Sequence, residues 1–296
     1  MKGIVLAGGT GSRLWPITWG TSKQLLPVYD KPMIHYPIAT LMLAGIREML
    51  IITTKQDQES FQKLLGTGSE LGVSFSYATQ DNPDGIAQAF LIGESFIDNE
   101  PCALILGDNI FYGVGLGNQL QNIQVGNGAH IFAYEVTNPE RYGVIEFDST
   151  RKALSIEEKP LNPKSNFAIP GLYFYDKHVV EITKSIKPSG RGELEITSVN
   201  EAYLSGGKLN VTPLERGTVW LDAGTFDSLI DASIFIQVVE KRHRQKISCL
   251  EEIAWRNGWI SDQELIARAH SYKSSPFAAY LNSLMKSQKV SHPSAR

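Results

Sequence analysis

The tripeptide Ile4-Val5-Leu6 runs directly into Ala7-Gly8-Gly9-Thr10-Gly11-Ser12-Arg13-Leu14. A short apolar, β-branched run that ends in clustered glycines reads as a strand stopping at a ligand-binding loop. Glycine lets the backbone approach a ligand closely and turns successive N–H groups inward. Such a nest suits phosphate, and the planar fork of Arg13, with Lys23 further on, can hold its oxygens. A dinucleotide fingerprint starting at Gly9 and Gly11 would need glycine where Leu14 stands. A Walker A loop would need Gly-Lys-Ser/Thr where Arg13-Leu14-Trp15 stands. The loop therefore reads as a phosphate cradle outside both classes, which disfavours a dinucleotide-dependent oxidoreductase.

The same texture continues through the first half. Met49 to Thr54, Val73 to Ala78 and Ala103 to Leu106 read as further strands with amphipathic stretches between them. That alternation predicts an α/β fold whose parallel sheet carries crossover helices on both faces. One helix is predicted between Met33 and Ala44, with Pro32 and Pro37 near its first turn and Gly45 as its stop. A second is predicted from Ile86 to Phe96, with Asp84 as cap and Gly85 at the entrance. From Ala129 onward strands dominate: Ala129 to Val136, Gly143 to Phe147, Ala153 to Glu158, Leu172 to Tyr175, Leu209 to Leu214 and Thr218 to Leu221. The sheet is expected to continue, now mixed, without a clean boundary. After Thr225 the chain reads as helices, including Phe226 to Arg244, Leu250 to Asn257 and Asp262 to Ala269. The expected division is 1–224 as the catalytic part and 225–296 as a helical region that covers the sheet or makes subunit contacts.

Composition narrows the partners. Lys plus Arg (28) nearly balances Asp plus Glu (31), and a net charge of -3 has the wrong sign for a protein that owes its affinity to nucleic-acid phosphates. Cys102 and Cys249 stand alone without metal-ligand spacing, so disulfide frameworks and zinc sites lack material and a reducing cytoplasm fits. The longest apolar stretch, around Leu41 to Ile52, is broken by Arg47 and Glu48, and the N-terminus lacks the apolar length and cleavage site of a signal peptide.

Taken together, Gly8-Gly9-Thr10-Gly11-Ser12-Arg13-Leu14 with Pro16, Lys23-Gln24-Leu25-Leu26-Pro27 and Asp30-Lys31-Pro32 resemble the sugar-1-phosphate nucleotidyltransferase family. The resemblance continues in order through Asn82-Pro83-Asp84-Gly85-Ile86-Ala87-Gln88-Ala89, Leu106-Gly107-Asp108-Asn109, Glu140-Arg141-Tyr142-Gly143-Val144, Glu157-Glu158-Lys159-Pro160, Gly171-Leu172-Tyr173-Phe174-Tyr175-Asp176, Arg191-Gly192-Glu193-Leu194-Glu195-Ile196-Thr197 and Trp220-Leu221-Asp222. It covers nearly the whole chain and looks most like the thymidylyl-transferring members. It implies a Rossmann-like nucleotidyltransferase fold: a mostly parallel mixed central sheet flanked by helices, with a C-terminal helical extension.

The implied substrates are dTTP and glucose 1-phosphate, joined with Mg²⁺ to give dTDP-glucose and pyrophosphate, a first step toward deoxysugars such as dTDP-L-rhamnose. Leu6, Gly8, Gly9, Gly11, Arg13, Lys23, Gln80, Gly85 and Asp108 are the expected nucleotide contacts. Asn109, Tyr142, Gly143, Glu158, Lys159, Ile169, Arg191 and Trp220 are the expected sugar-phosphate contacts. Asp108 and Asp222 each follow an apolar strand, and two carboxylates on adjacent strand ends can share Mg²⁺; taken without the resemblance, such a residue is more often a helix cap or loop residue. Arg191 can equally be a solvated loop arginine, and Trp220 can flank a hexose or simply pack. The attacking phosphate is already ionised at neutral pH, so no general base is required. Catalysis then falls to Arg13, Lys23, Lys159, Asp108 and Asp222 by positioning and electrostatics. A homotetramer inhibited by a deoxysugar nucleotide is also implied.

Alternatives are a uridylyl- or dual-specificity enzyme, since thymine and uracil differ by one methyl, and a non-catalytic nucleotide-sugar-binding regulator. Three segments depart from the family: Ile169-Pro170-Gly171 for the usual Val-Thr-Gly, Ala223 for threonine and Ser198 for aspartate. The first two are expected near the sugar.

Overall fold

In the computed structural model, which describes residues 1–291, the chain begins with β1 (Lys2–Ala7), followed by the small hairpin β2 (Pro27–Val28) and β3 (Lys31–Pro32). Next come α1 (His35–Leu43), β4 (Glu48–Thr53), α2 (Gln58–Leu65), β5 (Ser74–Thr79), α3 (Gln88–Ile92), α4 (Glu94–Ile97) and β6 (Cys102–Leu106). The middle of the chain supplies β7 (Asn109–Tyr112), α5 (Leu116–Gln121), β8 (Ala129–Glu135), β9 (Gly143–Phe147), β10 (Ala153–Glu158), β11 (Phe167–Ala168) and β12 (Leu172–Tyr175). It closes with α6 (Val179–Ser185), α7 (Ile196–Ser205), β13 (Leu209–Pro213), β14 (Val219–Asp222), α8 (Phe226–His243), α9 (Leu250–Arg256), α10 (Asp262–Ser271) and α11 (Pro276–Ser291). Residues 292–296, the end of the expected helical region, lie outside the described residues.

Strands order as β10-β9-β11-β8-β12-β6-β1-β4-β5, with β13 alongside β8. β6, β1, β4 and β5 run parallel, and the sheet turns mixed beyond β6. Alternation along β1, β4 and β6 divides their side chains between two cores. Val5, Met49, Ile51, Ala103 and Ile105 face one side, and Ile4, Leu50, Ile52, Cys102 and Leu104 the other. Both faces are thus covered, as a parallel sheet requires. The chain winds from β1 to β4 and β5 on one side, then crosses back to lay β6 on the other. The switch point lies between β1 and β6, where open α/β sheets place ligands beyond the strands' carboxyl ends.

Several expectations need correction. The helix expected over Ile86 to Phe96 is two short helices separated at Gly93, where a Cβ would press within 3.3 Å of Ala89 O, Leu50 and Ile4. Asp84 does not cap it: no side-chain cap is present on α3, and the Asp84 carboxylate instead accepts from the Gln88 amide at 3.1 Å. The strand ending at Asp222 is outside the large sheet and forms an antiparallel pair with β7. α7 lies in a stretch rich in Ile, Thr, Val and Tyr, all good strand formers; burial of Ile196, Val199 and Tyr203 overrides that preference. α9, α10 and α11 add Leu250, Ala254, Leu265, Ala269, Leu281 and Leu284 to the core that also holds Val5 and Ile38. α8, capped by Thr225 and Ser228, lies instead over a third core with Val28, Met33 and Ile110. Among the described residues no helix is long and apolar enough to cross a membrane.

Candidate active site

Two loops meet at the switch point. After β1, Gly9 (φ 95°) and Gly11 (φ 59°) take the left-handed backbone that other residues resist, and the Thr18 hydroxyl donates to Gly11 O at 2.8 Å. The turn Ser12–Leu14 then presents Arg13 at the surface of the cleft. After β6, Gly107 donates its N–H to Leu6 O at 2.9 Å, tying the second loop to the first and delivering Asp108. Lys23 starts the turn Lys23–Leu25 and its ammonium contacts Asp108 Oδ2, with both side chains only 13% exposed.

The β7–β14 register pairs Asp222 with Asn109 and so brings Asp222 beside Asp108. Gly224 keeps the approach open, since a Cβ there would stand 3.0 Å from Asp222 Oδ1 and 3.2 Å from an Arg13 nitrogen. Burial pushes the Asp108 carboxyl up, but the Lys23 charge and hydrogen bond, with the Asn109 amide, hold it below the usual carboxylate range. Burial and the Asp108 charge raise Asp222, against the pull of Lys23, Arg13 and Arg141. Two half-buried, mutually repelling carboxylates fit a hard divalent cation that takes one or two protein carboxylates and fills its shell with water and phosphate. Among the described residues no cluster of three or more His, Cys, Asp or Glu could enclose a metal by itself.

The sugar side owes its shape to a split in the sheet. Phe167 faces Glu135 whereas Tyr173 faces Ile131, so six steps from β11 to β12 meet four along β8. The surplus is the bulge at Ile169-Pro170-Gly171. On the other edge β12 pairs with β6, but Ala168 pairs with Val144 of β9. Between β6 and β9 opens a cavity of about 470 Å³. Its lining includes Arg13, Asp108, Asn109, Tyr142, Gly143, Glu158, Lys159, Ile169, Trp220 and Asp222, ten of the residues predicted from sequence.

Asn109, 2% exposed, joins these parts: its Oδ1 accepts from Gly171 N–H (3.0 Å) and Trp220 Nε1 (2.6 Å), and its Nδ2 donates to Asp108 (3.0 Å). Much of its amide is thus committed to the protein. Trp220 also meets the Tyr142 ring edge-on at 5.0 Å between centroids. Lys159 sits at φ 43° with its N–H on Tyr142 O, and its ammonium lies 3.4 Å from Glu158. Glu158 in turn accepts from the Thr197 hydroxyl. Replacing Gly171 with alanine would put a Cβ 2.6 Å from Leu106 and 2.7 Å from Asn109 Oδ1. Gly171→Ala is therefore expected to cost about 1–3 kcal/mol in urea unfolding and to lower activity by disturbing Asn109.

Other predicted residues lie apart from the cavity. Gln80 is buried against the glycine loop, where a Cβ on Gly8 would stand 2.4 Å from its Oε1, and its Nε2 donates to Gln88 at 2.7 Å. Gly85 (φ 112°) is required by the chain itself, because a Cβ would stand 2.3 Å from Leu194 O. Arg191 stands outside the lining but reaches its edge, with its guanidinium 2.8 Å from Glu195 and 3.4 Å from the lining residue Glu158. Ile169 reaches the cavity as expected, but Ala223 is buried in the third core, outside the lining. Arg141, Thr197, Tyr173 and Asn200 line the cavity without having been singled out. Arg141 had a signal, a cation within Glu140-Arg141-Tyr142-Gly143, and Thr197 had one as the last residue of the motif that begins at Arg191; Asn200 had none while α7 was unrecognised.

A strand-end glycine loop facing paired carboxylates, with a cavity alongside, is an arrangement that fits nucleotidyl transfer. The model of the family described as nucleotidyl transferase matches residues 2–238, and the chain belongs to that family. The glucose-1-phosphate thymidylyltransferase of Mycobacterium tuberculosis (strain H37Rv) is 58% identical over 286 residues, 97% of this chain and 99% of that protein. A Bacillus anthracis structure assigned to the same activity, solved in complex with sucrose, is 45% identical at a TM-score of 0.74, covering 79% of this chain and 94% of that one. A UDP-glucose pyrophosphorylase complexed with UDP-glucose is 27% identical at a TM-score of 0.69, covering 81% and 98%.

Proposed function

We propose that this chain transfers a thymidylyl group from dTTP to α-D-glucose 1-phosphate, giving dTDP-glucose and pyrophosphate. The observation that carries this reading is the convergence of Arg13, Lys159, Asp108 and Asp222 on one cavity at the switch point, with Lys23 paired to Asp108. A phosphate oxygen of the sugar phosphate attacks the α-phosphorus, and the bond to the β-phosphate's bridging oxygen breaks. Lys159 holds the incoming phosphate while Glu158, Tyr142, Gly143, Ile169 and Trp220 hold the hexose, and Arg191 turns from Glu195 toward the same phosphate. Arg13 receives the departing pyrophosphate. Lys23 steadies the triphosphate, whose base lies toward Leu6, Gly8, Gln80 and Gly85. Asp108 and Asp222 would hold Mg²⁺, which supplies charge neutralisation for the phosphates. The nucleophile needs no base, so the residues act by alignment and by meeting charge as it develops.

The test is pyrophosphate release from glucose 1-phosphate and Mg²⁺ with dTTP, UTP, CTP, ATP and GTP in parallel. Turnover with dTTP above the others is expected; equal rates with UTP would make it a dual-specificity enzyme, and silence with all five would overturn the reading. The reading assigns catalysis to residues 1–224, the helical region 225–296 to packing and subunit contact, and the protein to the cytoplasm.

A homotetramer also belongs to this proposal, and α8 offers one of the self-complementary contacts it needs. Phe226, Ile230, Ile234 and Val238, 42–56% exposed, form one apolar stripe at i, i+4 spacing. Exposed Asp227 and Asp231 lie toward one end and Lys241 and Arg242 at the other, so two copies packed antiparallel about Ile234 match charge as well as apolar surface. Light scattering should report four chains for the wild type and fewer for Ile234→Glu at unchanged thermal midpoint. A feedback-inhibiting deoxysugar nucleotide is part of the same proposal. A second cavity of about 430 Å³, lined by Phe111, Tyr112, Lys246 and Arg256, offers it apolar walls and cations.

A further inference from the structure

Four buried side-chain polar atoms among the described residues lack a hydrogen-bond partner: His130 Nε2, Asp176 Oδ2, Asn200 Nδ2 and Arg268 Nε. Only Asn200 belongs to the lining of the active-site cavity. It is 1% exposed and stands on α7 one turn beyond Ile196 and Thr197, which line the same wall. Its Oδ1 accepts from the hydroxyl of Tyr175, itself fully buried, at 2.6 Å. That bond sets the amide's orientation: the oxygen is occupied and the NH₂ group is the end left over. A buried amide donor without an acceptor is costly, and natural proteins seldom leave one without a use.

We propose that Asn200 is a sugar-recognition residue whose Nδ2 donates to one hydroxyl of the bound hexose, with Tyr175 as the positioning residue behind it. This rests on the reading of the cavity as the hexose 1-phosphate site. The cations Arg13, Arg141 and Lys159 of the lining suit the anionic part of the ligand. A neutral donor on the α7 wall suits an uncharged oxygen, which a polyhydroxylated ring supplies. Asn200 Nδ2 is shielded in this structure, so its use requires a small side-chain shift on that wall as the sugar enters.

The experiment compares kcat/KM for glucose 1-phosphate and its 2-, 3-, 4- and 6-deoxy analogues in the wild type, Asn200→Leu and Tyr175→Phe, with thermal midpoints measured alongside. For the wild type, one analogue should carry a penalty of roughly tenfold owed to this bond. Asn200→Leu should lose roughly tenfold on glucose 1-phosphate and nothing further on that analogue, so the ratio between them collapses toward one while KM for dTTP stays put. Tyr175→Phe, which keeps the ring, should reduce the same ratio in part. Wild-type ratios retained at every deoxy position in the two variants would overturn the proposal and make Asn200 a packing residue. If Asn200→Leu does not fold, Tyr175→Phe decides by the same ratio. A wild type inactive on every hexose 1-phosphate would remove the site reading itself, and this proposal with it.

Discussion

Arg13→Ala is expected to lower kcat by roughly 10²- to 10³-fold while KM for the triphosphate changes far less. Arg13 lines the cavity from the exposed turn beyond the glycine loop, and among the described residues no hydrogen bond or ion pair commits its guanidinium. Asp222 stands close enough to feel its charge. An uncommitted planar fork beside the glycine loop is available to an anion without first breaking a protein contact. In the role proposed for Arg13, charge accumulates on the departing pyrophosphate as the bond breaks, so its interaction would be strongest in the transition state and its loss would fall on kcat. Arg13→Lys should recover only part of the loss, because an ammonium cannot reproduce two parallel N–H bonds. Urea unfolding should change little in these two variants, since the fold meets this side chain only through its charge near Asp222. Steady-state kinetics alongside denaturation checks the claim; an unaltered kcat would remove Arg13 from the transition state.

Lys23→Ala should be at least as damaging to turnover, roughly 10³-fold, and unlike Arg13→Ala it should also destabilise the protein. Lys23 and Asp108 form a mostly buried pair, and Asp108 adjoins a second, half-buried carboxylate, Asp222. Taking away the cation leaves Asp108 with the Asn109 amide as its neighbouring hydrogen-bond donor and two like charges side by side. Breaking a buried pair from one side costs about 3 kcal/mol, which urea titration would read directly. Added Mg²⁺ should restore part of that stability, because a divalent cation replaces the missing charge between the carboxylates. Stability equal to wild type without Mg²⁺ would show that the pair carries no structural weight.

How far the sequence could be read differs sharply between regions. Ile4-Val5-Leu6, Met49 to Thr54 and Ala103 to Leu106 were legible because their side chains are buried on both faces, and such strands are continuous apolar runs. Gly143–Phe147, Ala153–Glu158 and Leu172–Tyr175 are strands at the expected bounds. α7 was hidden because its β-branched residues oppose the helix, and only packing resolves the conflict. The strand Asn109–Tyr112 was hidden behind Asp108, since a four-residue strand carries too little pattern to separate from a loop.

The residue types of the site and their order along the chain follow from the sequence alone: a glycine nest with Arg13 and Lys23, carboxylates at strand ends, Lys159 beyond Glu158. Those are local properties, since backbone freedom, charge and hydrogen-bonding capacity belong to each residue wherever it lies. Their arrangement is not local. The antiparallel pairing of Asp222 with Asn109, the contact of Lys23 with Asp108 across 85 positions, and the two-residue bulge that splits the sheet were decided only by the tertiary structure. So was the orphaned amide of Asn200. Each depends on which distant segments share a core, and that is set by the packing of the whole chain, which no short stretch of residues encodes.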